Sequence, residues 1–382
     1  MKNYVKDNTL IIELEGKINS ENVEDIDKEV RTLIMGTGLN YMFDADKLEY
    51  ITSAGLRFLL KLKKEKKDEL TIINVSPEVY EIFEMTGFVT LLDVKKKLRV
   101  FSVEGCPVIG KGAMGTVYRI DMDTIIKVYD NVNDIHAIEN EVNKAREAFL
   151  MGIPTAIPFD IVKVQDKYGA IFELIKSTNS NDYLIENTNE LDGFCTRYAD
   201  FIKDIHSVVD EKNSLPHIKD MYLSHLKTIK NILSPDLFEK IENVINEIPD
   251  EKSVIHGDVQ VKNIMISDDD LVIIDMDTLS EGSPVFDFGG LFMTYVTFSI
   301  HEPDNTKKFL GLDADVTSEL FYKTVKQYYR NLSDVEYQRT INIIKMLGFV
   351  RFLFLIYGLQ IGVPELKDVR IKYSINALNE LV

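Results

Sequence analysis

The stretch VIHGDVQVKNIM, residues 254–265, decides how this chain is read. It sets His256, Gly257 and Asp258 in a row, then four residues, then Asn263. A second apolar run, LVIIDMD at 271–277, follows and delivers Asp275. That order of groups suits phosphoryl transfer. A carboxylate at Asp258 can orient an acceptor hydroxyl and take its proton, while Asn263 and Asp275 can offer oxygen ligands to Mg²⁺ bridging nucleotide phosphates. The short turn from Asp258 to Asn263 places both at one wall of a cleft.

Upstream, IGKGAMGTVYR at 109–119 contains Gly110, Gly112 and Gly115, followed by Val117. Glycines let backbone N–H groups press against phosphates with no Cβ in the way. A dinucleotide fold would need a helix directly after them, but TVYRI at 116–120 is β-branched and aromatic and reads as a strand. A Walker loop would need a hydroxyl residue after its lysine, and here Gly112 follows Lys111. Lys127 stands twelve residues past Gly115, between Ile126 and Val128 in the strand at 124–129. A cation there is costly unless it meets an anion. The helix expected at 135–150 carries Glu141, which can pair with Lys127 and aim it at phosphates; Glu139 is its nearby competitor. Downstream, Asp287-Phe288-Gly289 spells a known metal-binding tripeptide. It lies 24 residues after Asn263 at a helix start, whereas Asp275 lies 12 after Asn263 and ends an apolar strand. Asp275 is therefore the expected metal ligand, Asp287 a brace for the loop, and Asp277 a candidate second ligand.

HGDVQVKN at 256–263, IIDMDTLSEGSPVFD at 273–287 and FIKDIHS at 201–207 resemble the aminoglycoside phosphotransferase and choline-kinase-like branch of the protein-kinase-like superfamily. The resemblance covers about 102–382. It implies an α+β bilobal protein-kinase-like fold over 101–382, with a small lobe to about 175 and a helical large lobe beyond. It implies ATP and Mg²⁺ as cofactors, Gly110, Gly112, Gly115 and Val117 around the nucleotide, and family roles for Lys127, Glu141, Asp258, Asn263 and Asp275. Adenine would meet backbone near 172–175, which includes Glu173 and Ile175, and His206 would be a helix-packing histidine. A protein kinase holds its peptide on a long segment between its DFG and APE motifs. Here Pro284 follows Asp275 by nine residues and no APE follows. The 80 or so residues between 175 and His256 could instead build a small-molecule pocket.

The first hundred residues alternate strand and helix signals. Strands are expected at 9–14, ended by Gly16, at 41–43 and at 70–75. Helices are expected after a Ser20 cap, at 54–62, and at 78–85 after Pro77. Strands separated by helices imply an α/β arrangement. The basic run KKKLR at 95–99 reads as a solvated linker and sets domains at 1–100 and 101–382. DADKLEYITSAGLRFLL at 44–60, GKINSENV at 16–23 and SPEVYEIFEMTGF at 76–88 resemble the STAS (anti-sigma factor antagonist) fold. By that resemblance Ser53 occupies the phosphoacceptor position and an anti-sigma or other signalling protein is a candidate partner. Thr52 and Asn19 stand where the family usually has aspartates. Ser53 also reads as an ordinary helix N-cap.

The 382 residues suffice for two or three domains. A net charge of −18 argues against a nucleic-acid or anionic-membrane surface. Two cysteines, Cys106 and Cys195, make no disulfide framework. With no apolar leader after Lys2, and its longest apolar stretch at 352–357, the chain reads as cytoplasmic with no membrane span. Three readings stand open: a small-molecule kinase with a regulatory STAS domain, a protein kinase acting on a STAS or sigma-pathway partner or on its own Ser53, and a non-catalytic ATP-binding scaffold.

Overall fold

The computed structural model describes residues 1–66, 69–112, 114–130, 135–268 and 270–382, and divides into Met1–Ser102 and Val103–Val382. Ala113 of the glycine stretch and Asp269 lie outside the described residues.

In the first unit, β1 (Asn3–Lys6) and β2 (Thr9–Ile18) form an antiparallel hairpin. Its two turn residues, Asp7 and Asn8, both have positive φ, 46° and 60°, the twist that two-residue hairpins require. Gly16 does not end β2 as expected. It bends the strand at φ +65°, where the pairing with β3 (Asn40–Ile51) slips register. Between them runs α1 (Val23–Thr37), capped by Asn22 rather than Ser20. Asn22 accepts from the Asn19 N–H and donates to the Lys17 carbonyl, which fixes the turn and leaves Ser20 out. Then come α2 (Ser53–Glu65), β4 (Thr71–Val75), α3 (Pro77–Met85) and β5 (Asp93–Lys96). The sheet order follows the chain, β1 to β5, parallel from β2 onward. The basic run is thus not a plain linker: Lys95 and Lys96 belong to β5, paired with β4. The core of this unit is built on Ile12, Val30, Phe43, Leu59, Ile72 and Phe83, all fully buried.

The second unit opens with antiparallel strands Val108–Lys111, Gly115–Arg119 and Thr124–Tyr129, then α4 (Ile135–Leu150), then Pro158–Val164 and Lys167–Glu173. Lys167–Glu173 lies between Thr124–Tyr129 and Pro158–Val164. The rest is largely helical: α5 (Ser180–Glu186), α6 (Leu191–Ser207), α7 (Ile218–Thr228), α8 (Pro235–Glu247), α9 (Val285–Tyr295), α10 (Asn305–Leu310), α11 (Ala314–Tyr328), α12 (Asp334–Leu353) and α13 (Lys367–Leu381). A hairpin of Ile264–Ser267 and Asp270–Ile273 interrupts the helices, with Asn263 directly before it and Asp275 two residues after it. Helices α9 and α12 pack closely because Gly348 has no side chain; a Cβ there would lie 2.5 Å from the Phe292 ring. With its extension, α12 runs Asp334–Gly358 and is the one described helix long and apolar enough to cross a membrane. The expected apolar limit of 352–357 understated it, because isolated charges such as Lys345 and Arg351 interrupt the apolar run. Its Ile344, Leu347, Val350 and Leu353 are fully buried in the protein core.

Candidate active site

Lys127 sits on Thr124–Tyr129, flanked in register by Val117 and Ala170 on the neighbouring strands. From there its Nζ donates to Glu141 Oε1 of α4 at 2.7 Å and to Asp275 Oδ1 at 3.2 Å. Burial works against the Lys127 charge, but Asp275 and Glu141 outweigh it and hold the ammonium above its ordinary pKa. Glu141 is itself buried and accepts from the Tyr129 hydroxyl at 2.9 Å. Glu139 stays exposed, 2.9 Å from His136, and takes no part. Asp275 has φ +70°, a left-handed conformation unusual for a side-chain-bearing residue and typical of positions held for function. Next to it, burial and then the charges of Asp275 and Glu141 push the Asp277 carboxyl up to about 6.

The loop after Ile255 brings Asp258 and Asn263 together. Asn263 Nδ2 donates to the Asp258 carbonyl at 2.8 Å and to Asp258 Oδ2 at 3.1 Å. The Ile274 N–H donates to the Asn263 carbonyl at 2.9 Å, tying Asn263 to the residue before Asp275. Gln260 Nε2 donates to Asp258 Oδ2 at 2.8 Å, while Gln260 Oε1 is buried with no partner. An orphaned acceptor beside a carboxylate is what a missing ligand donor would satisfy.

Asp287 braces this loop. It accepts from the His256 N–H at 3.0 Å and the Gly257 N–H at 2.6 Å. Burial alone would raise its pKa, but His206, His256 and the Gly257 N–H hold the carboxyl below its usual range. His206 is more than packing: its ring bridges Asp287 and the Tyr328 hydroxyl, each at 2.9 Å. The Tyr295 hydroxyl oxygen accepts from the Val261 N–H at 2.8 Å, and the Tyr198 hydroxyl donates to the Val259 carbonyl. Arg351 of α12 donates to the Gly257 carbonyl at 2.5 Å.

The three glycines differ. A Cβ on Gly115 would lie 2.1 Å from the Val128 carbonyl oxygen, so the sheet itself demands glycine there. Gly112 has open space around its missing side chain, and Gly110 meets only Val117 at 3.6 Å. At the strand end, the Glu173 carboxylate accepts from the Ile157 N–H at 3.3 Å and the Glu173 N–H donates to the Ile157 carbonyl at 2.9 Å. Among the described residues the Ile175 N–H has no acceptor, and the Ile175 carbonyl accepts from Ser177 at 3.1 Å. Among the described residues no three His, Cys, Asp or Glu side chains form a ready metal cluster. One amide and one carboxylate nonetheless fit Mg²⁺, which keeps waters and takes phosphate oxygens.

Ser53 is exposed and is the first residue of α2; Thr52 is the N-cap. Thr52 turns its hydroxyl to the Ile18 carbonyl at 3.2 Å and makes no side-chain cap bond. The cap reading of Ser53 is therefore displaced by one residue. Gln260, Arg351 and His225 went unread in the sequence. Gln260 alone had a signal, lying two residues past Asp258 in the quoted motif.

A family model of the phosphotransferase enzyme family matches residues 106–314, and a STAS domain model matches residues 1–101. Over 91 residues, 23% of this chain and 78% of the relative, the sequence is 34% identical to BtrV of Bordetella bronchiseptica, named as a candidate anti-sigma factor antagonist. Among solved structures, the ADP-bound aminoglycoside phosphotransferase APH(2'')-Ib aligns at 17% identity and TM-score 0.49, covering 79% of this chain and 98% of its own. A choline/ethanolamine kinase family protein from Mesorhizobium loti aligns at 14% identity and TM-score 0.48, covering 72% of this chain and 87% of its own. The chain belongs to the phosphotransferase enzyme family, with a STAS domain on its N-terminal side.

Proposed function

We propose that residues 103–382 catalyse transfer of the ATP γ-phosphoryl group to a hydroxyl of a small molecule, with the STAS domain as a regulatory or partner-binding module. The observation that carries this reading is the joining of Lys127 to both Glu141 and Asp275, with Asn263 bonded to Asp258 and, through its carbonyl, to the Ile274 N–H next to Asp275. Lys127, aimed by Glu141, would hold the nucleotide phosphates, and Gly110, Gly112 and the Ile175 N–H would receive the phosphates and the base. Val117 would pack on the base. Asn263 Oδ1 and the Asp275 carboxylate would hold Mg²⁺, which when bound supplies neutralising charge on the phosphates. Asp258 takes the proton as the acceptor oxygen bonds to the γ-phosphorus and the bridging P–O bond to ADP breaks. Its two donors, Gln260 and Asn263, keep the carboxylate aimed.

The phosphotransferase family match over residues 106–314 and the short stretch from Asp275 to Pro284, which leaves no long platform for a peptide, support a small hydroxyl acceptor. A second reading rests on Ser53, an exposed hydroxyl at a helix start, where backbone N–H groups favour an added phosphate. An assay of ADP release with Mg·ATP over a panel of small alcohols and purified STAS proteins separates the two. Release driven by small alcohols supports the first reading, and release driven only by protein supports the second.

A further inference from the structure

Arg351 is the least expected group near Asp258. It comes from α12, passes the glycines of α9 and reaches the carbonyl of Gly257, the residue directly before Asp258. A guanidinium has five N–H donors and stays charged at any physiological pH. Burying one normally calls for a carboxylate. This chain has 62 aspartates and glutamates, yet among the described residues none lies within 4.0 Å of Arg351. The buried arginine Arg370 shows the ordinary solution, pairing with Glu302 at 2.9 Å and two carbonyls. The hydrogen-bond partners of Arg351 are neutral, the Gly257 carbonyl and the Tyr222 hydroxyl, while the charges of Asp258 and Asp287 act from beyond ion-pair distance and, with Tyr222, hold the guanidinium above its ordinary pKa against burial.

The same corner holds a second unmet group. His225 of α7 has a buried Nδ1 with no partner. Its ring stacks on Phe354, centroids 3.8 Å apart. Phe354 opens the widened π-turn Phe354–Gly358, which follows Arg351 by three residues, and such turns recur at functional sites. Burial and then the Arg351 charge hold His225 down to about 4, so at neutral pH it offers a hydrogen bond and no charge. A cation with no ion-pair partner thus holds the carbonyl just before Asp258, and an unpartnered imidazole nitrogen lies within reach of its charge.

We propose that Arg351 is a specificity-determining residue that binds an oxyanion of the acceptor, a carboxylate or a phosphate, and so presents the acceptor's hydroxyl to Asp258. The inference rests on the phosphotransferase reading and adds to it the substrate class: a compact alcohol carrying a negative charge. A carboxylate or phosphate fits a guanidinium by two parallel N–H···O bonds, which fixes direction as well as distance. A cationic amino sugar or choline would instead meet Arg351 as a like charge.

The test uses the full-length protein and pairs of alcohols that differ by the anion. Glycerate and glycerol 3-phosphate are set against glycerol, and serine against ethanolamine, with ADP release and Mg·ATP binding both measured. Turnover of at least one anionic alcohol is expected, with its uncharged or cationic counterpart at least about 30-fold poorer in kcat/KM. Glycerate against glycerol 3-phosphate tells carboxylate from phosphate. Arg351→Gln should raise KM for the anionic acceptor by about 30-fold or more while leaving Mg·ATP affinity unchanged. Arg351→Lys should recover part of that loss, and a melting curve checks that each variant folds. His225→Ala serves as a second variant, with a smaller rise in the same KM. Turnover of the neutral or cationic members alone, or of none of the anionic ones, overturns the inference. So does a folded Arg351→Gln protein that keeps its anion preference, which would make Arg351 only a loop brace. Failure of the wild-type chain to bind Mg·ATP would instead remove the phosphotransferase reading, and this inference with it.

Discussion

Asp258, Asp275 and Asp287 are three aspartates in one neighbourhood, and the hydrogen bonds around each give it a different task. Asp258 accepts from side chains and keeps its carboxylate at the loop surface, so Asp258→Asn should preserve the fold and Mg·ATP binding. Its kcat should fall by about 10²–10⁴-fold, the usual worth of a positioned base; steady-state kinetics beside a nucleotide titration checks both halves. Asp275→Ala should abolish Mg²⁺-dependent ATP binding in a protein that still melts cooperatively. Asp287→Ala should do the reverse. Removing it strands two buried N–H groups and His206, at a cost of about 2–5 kcal/mol of stability. Urea unfolding of both variants reads this, and the opposite order would exchange the two roles. That Lys127 meets Asp275 and Asn263 meets Asp258 could be expected from the sequence because a strand, a strand end and one short loop with fixed spacing carry all four. Arg351 and His225 could not. What marks them is the absence of a partner, and that depends on which side chains the fold brings near from some 94 and 126 positions along the chain, from Gly257 to Arg351 and from His225 to Arg351.

Elements were legible to the extent that their signals are local. Helix α4 has the bounds that its amphipathic pattern gives, and TVYRI is a strand, as its β-branched residues imply. Strand β3 runs to twelve residues where three were expected: beyond Asp44 it pairs with β2 alone, past a register slip, and polar residues such as Asp46 and Lys47 break the apolar pattern there. The Asp7-Asn8 turn lacks the glycine that usually announces a tight hairpin. The glycine loop gives an element-scale prediction. Gly115→Ala would force a Cβ into the Val128 carbonyl, so the sheet must shift and the melting temperature should fall. Gly112→Ala meets open space, so stability should hold while KM for ATP rises about tenfold, near 1.4 kcal/mol, as the Cβ intrudes on the phosphates. Equal melting temperatures for the two variants would contradict this division.

At the scale of the whole molecule, the joining of a STAS domain to a phosphotransferase raises each domain's concentration for the other to roughly millimolar. Weak association then suffices for regulation. We expect Ser53→Glu, which places negative charge at the start of α2, to change ATP turnover, and deletion of residues 1–101 to change it also. Identical kcat and KM in the full chain, in Ser53→Glu and in a folded 102–382 fragment would assign the STAS domain to another partner. The two-domain plan was legible because each half carries its own motif, whereas regulation leaves no local sequence signature. The central claim is tested most directly by following the label from [γ-³²P]ATP in the full chain, wild type and Asp258→Asn, with a panel of small alcohols. The expected result is label in the small-molecule fraction with the wild type and nearly none with Asp258→Asn. Label confined to protein, or transfer that survives Asp258→Asn at the wild-type rate, would contradict it.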